Sequence, residues 1–235
     1  MKVGMETERT PLRVLFLTPY FRPYLGGIER AIERLSFQLL DSQAIEAVGV
    51  LTTKYAFPRV PHPEWPDREQ TEEGISIFRL KGFPRTSLPL YSVPLVWFSP
   101  AQVRHYLEEF NPHIVHFVGD GWFWGHFWSW SCRKGRARFV FTPSYHTLPK
   151  SRIWLKYINR FISQRVDDVV TLTLQEAEQV RRDYKVSDDQ LSVIGWGASV
   201  MGRKTEAVDT VPGNDNDPLT ILCVGRLSST KGQLG

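Results

Sequence analysis

Residues 13–40, RVLFLTPYFRPYLGGIERAIERLSFQLL, decide the fold. Arg13 to Thr18 is a short apolar run closed by Pro19, which suits a strand buried on both faces. After Gly26-Gly27, the residues Ile28, Ala31, Ile32, Leu35 and Leu39 recur at helical spacing, with Glu29, Arg30, Glu33 and Arg34 on the opposite side. A buried strand feeding an amphipathic helix through a glycine turn is the opening unit of an α/β sheet protein.

The unit recurs downstream. Val48 to Thr52 and Ile75 to Leu80 read as strands, joined by a polar excursion through Pro58, Pro61, Pro63 and Pro66 that reads as a long surface loop. Helices are expected over 100–110, 122–130, 153–166 and 175–184, and strands over 114–118, 139–142, 169–172 and 191–194. Alternation of this kind with near-continuous apolar strands predicts a Rossmann-like, doubly wound parallel sheet, which binds ligands beyond the carboxyl ends of its strands. The expected domain layout is a disordered tail over 1–11, one α/β domain over 12–200 and a linker over 201–218 containing PGNDNDP. The opening strand of a second domain is expected over 219–235, too little to bury a core of its own.

Composition sets further bounds. The 235 residues are 42% apolar and 23% charged, which excludes disorder and collagen. The net charge of +4, from 29 Lys and Arg against 25 Asp and Glu, reads as mild and evenly spread, and does not call for a nucleic-acid partner. Cys132 and Cys223 sit in apolar contexts and read as reduced thiols of a cytoplasmic protein; Met1 to Thr10 has no apolar signal core. The uncharged stretch from Thr86 to Val103 is broken by Pro89, Pro94 and Pro100, and reads as a buried or broken segment rather than a membrane span.

Two stretches carry candidate chemistry. At Gly26-Gly27 the backbone can approach a ligand closely at a helix N-terminus, where amide groups and the helix dipole favour an anion; a plain tight turn is the alternative. In VGRLSSTKG, residues 224–232, Arg226 and Lys231 follow a strand end and together could neutralise a diphosphate. His113, His116 and His126 have no zinc spacing, and no metal is expected.

In order along the chain, GGIER, NPHIVHFVG, FTPSYHT, RVDDVVTLTLQEAEQVRRDYKVSDDQLSVIGWGAS and VGRLSSTKG resemble the family 4 retaining glycosyltransferases, two-domain GT-B enzymes that use nucleotide-activated sugars. The resemblance covers residues 12 to 235. It implies an N-terminal acceptor domain followed by a donor-binding domain, with Gly26, Gly27, Arg226 and Lys231 at the donor diphosphate and His146 lining the transfer site; His116 keeps a structural reading. It further implies a nucleotide sugar and a glycan or lipid-linked acceptor as partners, with no cofactor or metal. Gly195-Trp196-Gly197 stands where the family usually has Pro-Asn-Gly, and the family's paired glutamates would fall beyond Gly235. The expectation is therefore a truncated chain, inactive alone.

The alternative class is a non-catalytic module derived from such a domain, holding a glycan, lipid or protein. One further feature stands apart: Arg152, Lys156 and Arg160 recur every four residues beside Trp154, Tyr157, Ile158 and Phe161. A core-facing helix with a solvated edge is the first reading, and peripheral contact with the inner face of a membrane the second.

Overall fold

Strand β1 (Leu12–Leu17) forms where the apolar run predicts it, with Leu15, Phe16 and Leu17 fully buried. A computed structural model describes residues 11–56, 60–84, 96–120, 122–132, 137–145 and 153–197. These lie in one compact unit, Met1–Gly197. The second unit, Ala198–Gly235, covers the positions of the expected linker and the expected strand at Leu219 and is outside the described residues.

Helix α1 (Gly27–Leu40) follows, then β2 (Ile45–Thr53). Between β2 and β6 (Ser76–Leu80) the chain does not form a structureless loop as expected. Strands β3 (Tyr55–Ala56) and β4 (Val60–Pro61) pair antiparallel, and β5 (Arg68–Gln70) pairs antiparallel with β6. The organiser is Arg79, whose side chain is fully buried. Its guanidinium donates to Pro66 O (3.1 Å), to Glu69 Oε2 (2.9 Å) and to Arg22 O (2.8 Å), pinning the excursion to the β1–α1 loop. A guanidinium taken out of water must be paired in this way, and neither prolines nor local charge pattern reveal it.

Two further short strands, β7 (Gly82–Pro84) and β8 (Val96–Phe98), pair antiparallel. The uncharged stretch expected as a broken segment thus contributes β8, while 86–95 lie outside the described residues. Helix α2 (Pro100–Phe110) begins on a Ser99 cap whose hydroxyl accepts from Ala101 N–H (3.2 Å), with Pro100 in its first turn, and stops at Asn111, left-handed at φ +47°. Then come β9 (Ile114–Val118), α3 (Phe123–Ser131), β10 (Arg138–Thr142), α4 (Ile153–Ser163), β11 (Asp168–Thr171), α5 (Leu174–Tyr184), a 3₁₀ turn (Asp188–Gln190) and β12 (Leu191–Val193). Among the described residues, strand–helix alternation is therefore broken only between Thr53 and Pro100.

The strands form an eight-stranded sheet in the order β12-β11-β10-β9-β1-β2-β6-β5, parallel except for β5. Val14 lies beside Val48 of β2 and Ile114 of β9, so β1 is the central strand. Alternate residues feed two cores. Val14, Phe16, Val48 and Val50 pack with Ile32 of α1 on one face. Leu15, Leu17, Phe117 and Phe141 pack with Val103 of α2, Ile162 of α4 and Val180 of α5 on the other. Each such side chain contributes about 2 kcal/mol by burial, so a register slip, which would turn both sets around, is strongly disfavoured.

Cys132 is buried and in no disulfide, and Cys223 lies outside the described residues. Among the described residues no helix is long and apolar enough to cross a membrane.

Candidate functional site

The sheet reverses direction at β1. From β1 the chain moves outward through β2 and β6; it then returns to place β9 on the other side of β1 and moves outward again through β10, β11 and β12. The loops leaving β1 and β9 therefore splay apart at the carboxyl end of the sheet, opening the crevice in which doubly wound proteins hold their ligands.

The β1–α1 loop forms one wall. It is anchored by Thr53, whose hydroxyl donates to Pro19 O (2.7 Å), by Arg79 on Arg22 O, and by the buried rings of Tyr20 and Phe21. Gly26 caps α1 and, lacking a side chain, supplies no acceptor to the first-turn amides. The two glycines differ. A Cβ on Gly26 would lie 2.5 Å from Glu29 Oε2 and 3.2 Å from the Tyr24 hydroxyl, whereas a Cβ on Gly27 would meet nothing within 4 Å. The helix start is thus open at Gly27 and closed at Gly26 by the half-turn return of the buried Glu29 side chain.

The other wall is Gly119-Asp120, which follows β9. Gly119 has φ +87°, a conformation that side-chain-bearing residues rarely adopt, and donates its N–H to Thr142 O (2.9 Å). A Cβ there would touch Ile28 in the first turn of α1 at 3.6 Å, so this loop and the glycine turn are neighbours. Gly119 is missed by sequence reading, although a glycine directly after a buried strand is the signal that could have found it.

Beyond β10 the crest is built differently. Ser144 is non-glycine yet left-handed at φ +49°, with its buried hydroxyl unpartnered among the described residues. Glu176, in the first turn of α5, holds the loop: Tyr145 N–H donates to its Oε1 and Leu172 N–H to its Oε2, both at 2.7 Å. Thr173 caps the same helix by accepting from Glu176 N–H (3.1 Å). The Tyr145 hydroxyl donates to Asp183 Oδ2 (2.6 Å), and Lys156 reaches Asp183 Oδ1 (2.9 Å). Burial opposes ionisation of Asp183, but the hydrogen bonds from Tyr145, Lys156 and Arg182 outweigh it and hold the carboxyl below its usual range. Burial, reinforced by Asp183, pushes the Tyr145 phenol up to about 12.

Of the sequence-predicted site residues, Gly26 and Gly27 stand on this crevice. His146, Arg226 and Lys231 lie outside the described residues, although Glu176 and Asp183 fix Tyr145, the residue before His146. His116 points into the α1 face of the sheet. Its ring is 5.3 Å from that of Phe16, Nε2 is 2.8 Å from the Thr142 hydroxyl, and burial lowers it to about 4. His113 Nδ1 accepts from Arg13 N–H (2.9 Å) at the opposite end of the strands, and His126 stacks on Phe117 in the core. The three histidines do not converge, and among the described residues no group of His, Cys, Asp and Glu could hold a metal ion.

Two cavities have well-defined linings. One of about 470 Å³ lies at the carboxyl ends of β2 and β6, between Lys54, Tyr55, Pro63 and Lys81; both lysines converge on Asp67. The other, about 250 Å³, is at the amino-terminal end of the strands against Leu107, Cys132 and Phe139. By the rule for parallel sheets, the first is on the ligand side and the second is not.

Comparison with solved structures agrees with the topology. Sucrose-phosphate synthase from Thermosynechococcus elongatus superposes with a TM-score of 0.58 at 16% identity, covering 78% of this chain and 48% of that one. A glycosyltransferase from Rickettsia africae gives 0.51 at 16% identity, over 79% and 43%. A shorter piece of the sucrose-phosphate synthase is matched at 0.50 and 16% identity, over 80% of this chain and 90% of that piece. The chain thus spans about half the length of the first two proteins, and at this identity the likeness is one of fold. No curated protein matches the sequence. Residues 26–197, starting at the glycine turn and ending after β12, match the family described as glycosyl transferase 4-like domain. A parallel sheet with its reversal at β1, walled there by Gly26-Gly27, is thus read alike by topology and by sequence profile, and the chain belongs to the glycosyl transferase 4-like family.

Proposed function

We propose that this chain serves transfer of a sugar, with retention of configuration, from a nucleotide-diphosphate donor to a glycan or lipid-linked acceptor, and that its described domain forms the acceptor side of the site. The observation that carries the reading is the open helix start at Gly27 beside the sheet reversal at β1. Backbone amides at the α1 N-terminus would bind the diphosphate, and Arg226 and Lys231 would supply positive charge for it, Arg as a bidentate fork and Lys as a point charge. His146 would line the transfer site. In this reading the protein provides no nucleophile. It holds donor and acceptor in register and stabilises negative charge as the diphosphate leaves, with side-chain cations in place of a metal. The cavity of about 470 Å³ beyond β2 and β6 supports an acceptor placed on the same crest.

The test is a thermal-shift screen of the 235-residue chain against nucleoside diphosphates and their sugars, with and without a chelator. A bound diphosphate at about a hundred times its Kd stabilises by about 2.7 kcal/mol, a readily measured rise in Tm. Arg226→Ala with Lys231→Ala should abolish the rise, and the chelator should leave it unchanged. A panel in which no nucleotide shifts Tm, or in which the double variant shifts as the wild type does, overturns the donor assignment. Binding of a glycan without any nucleotide response would favour the non-catalytic module. Sugar transfer by the chain itself would overturn only the expectation that it is inactive alone.

A further inference from the structure

The charge of this protein is not evenly spread. Between Asp120 and Asp167 there are 46 consecutive residues, 121–166, with nine Lys and Arg and no Asp or Glu, leaving 20 Lys and Arg against 25 Asp and Glu in the rest of the chain. The same segment holds five of the eight tryptophans. It contains α3 and α4, which pack side by side. A helix that merely covers a core is expected to present a mixed-charge outer face; α4 carries Lys156 and Arg160, and neither α3 nor α4 carries an acid.

The inward face of α4 is complete without them. Leu155, Asn159, Ile162 and Ser163 are buried, while Tyr157 is 64% exposed and Phe161 half-buried. Phe161 meets Phe127 and Trp130 of α3 at centroid distances of 6.3 Å each. The exposed Arg165 places its guanidinium 3.5 Å from the Phe161 ring centre and 5.8 Å from that of Trp130. Arg160 stands beside Tyr157 and Phe161 on the helix and has no acidic partner among the described residues. Aromatic side chains with one wet and one apolar side, rimmed by arginines, match the layer between headgroups and acyl chains of a bilayer. Trp130 and Phe161 pack edge to edge and Arg165 covers a face of Phe161, which disfavours these two rings as a stacking platform of the kind that binds single-stranded nucleic acid.

We propose that the outer face of α3 and α4 is a docking surface for an anionic lipid bilayer, with Arg160 and Arg165 meeting headgroup phosphates while Tyr157, Phe161 and Trp130 enter the interfacial layer. Because α4 runs antiparallel to the strands it joins, Phe161 and Arg165 lie toward the amino-terminal end of the sheet, and docking there leaves the ligand crest free. The inference does not rest on the transfer reading, since vesicle partition is measured without any nucleotide sugar.

The experiment is flotation of the full chain with phosphatidylcholine vesicles, pure or with phosphatidylglycerol, at low and high salt, alongside tryptophan quenching by brominated lipid. Preferential, salt-sensitive partition into the anionic vesicles is expected, with quenching. Arg160→Gln with Arg165→Gln should lower that partition about thirtyfold, at about fivefold per arginine. Tyr157→Ala, at a position outside the core, should lower quenching and partition together with Tm unchanged, which guards against misfolding of the double variant. Equal partition into neutral and anionic vesicles, no partition into either, or an unchanged double variant would each overturn the proposal. So would binding of a single-stranded RNA oligomer, lost in the same variants, in place of vesicle binding.

Discussion

Helices α1 and α5 start in the same way and end up doing opposite things. Each carries a glutamate at its third position, Glu29 and Glu176, and each faces the carboxyl end of the sheet. In α5 the cap is Thr173, and Glu176 spends both oxygens on backbone amides of two strand-end loops. That helix start is saturated by its own protein. In α1 the cap is Gly26, with no acceptor to offer, and the next position is open to 4 Å around an added Cβ. One N-terminus is used to fasten the crest and the other is open at it on the Gly27 side, and threonine or glycine at the cap is one difference between them.

The comparison breaks most severely at Glu176. Glu176→Ala should leave two half-buried amides without their charged acceptor and cost about 3 kcal/mol, read as a lower midpoint in urea unfolding; a loss under 1 kcal/mol would mean that the clamp is not what fixes the Tyr145 loop. Tyr145→Phe removes only the bond to Asp183 and should cost about 1.5 kcal/mol, since its acceptor is charged. The acid limb of stability sharpens the same side. Asp183 is held below its usual range in the folded protein, so its contribution is complete above the ordinary carboxylate range and is lost as pH falls through the depressed folded value. An Asp183→Asn variant should therefore be less stable at neutral pH and show a shallower decline on acidification, followed by urea midpoints from pH 7 downward.

The smallest effects concern the glycines, and here the two positions should part company. Gly26→Ala drives a methyl to 2.5 Å from Glu29 and should cost about 1 kcal/mol, because a flexible carboxylate can move away. Gly27→Ala enters open space in a helix and should leave Tm unchanged or raise it slightly, by about 0.5 kcal/mol of stability. If a diphosphate does approach there, the same methyl should weaken nucleotide binding about tenfold. A Gly27→Ala protein that is both less stable and unimpaired in binding would remove the distinction drawn between the helix starts.

How far these features could be read from residues alone follows from their range. The α1 stripe, the Ser99-Pro100 start and Asn111 stop of α2, and the central buried strands are local patterns, and they appear within a few residues of where the spacing puts them. The turn into α1 at Gly26 and Gly27 is legible for the same reason. Glu176 is not: its partner Tyr145 lies 31 positions earlier, and on the helix it looks like an ordinary first-turn acid. Arg79 is the plainest case, a strand charge that is fully buried and donates to a backbone oxygen, Arg22 O, 57 positions away. Even the capping pair Thr173-x-x-Glu176 suggests only a helix start, because the second destination of the carboxylate is set by the sheet.

Both outer strands of the sheet, β5 and β12, are only three residues long, and β5 carries Arg68 and Glu69. A neighbouring molecule seeking to extend the sheet would find a short ladder, and on one side a charged one, so strand addition is discouraged at each end. Edges of this kind resist backbone pairing, which leaves the crest and the helices as the faces that the described domain offers to other molecules.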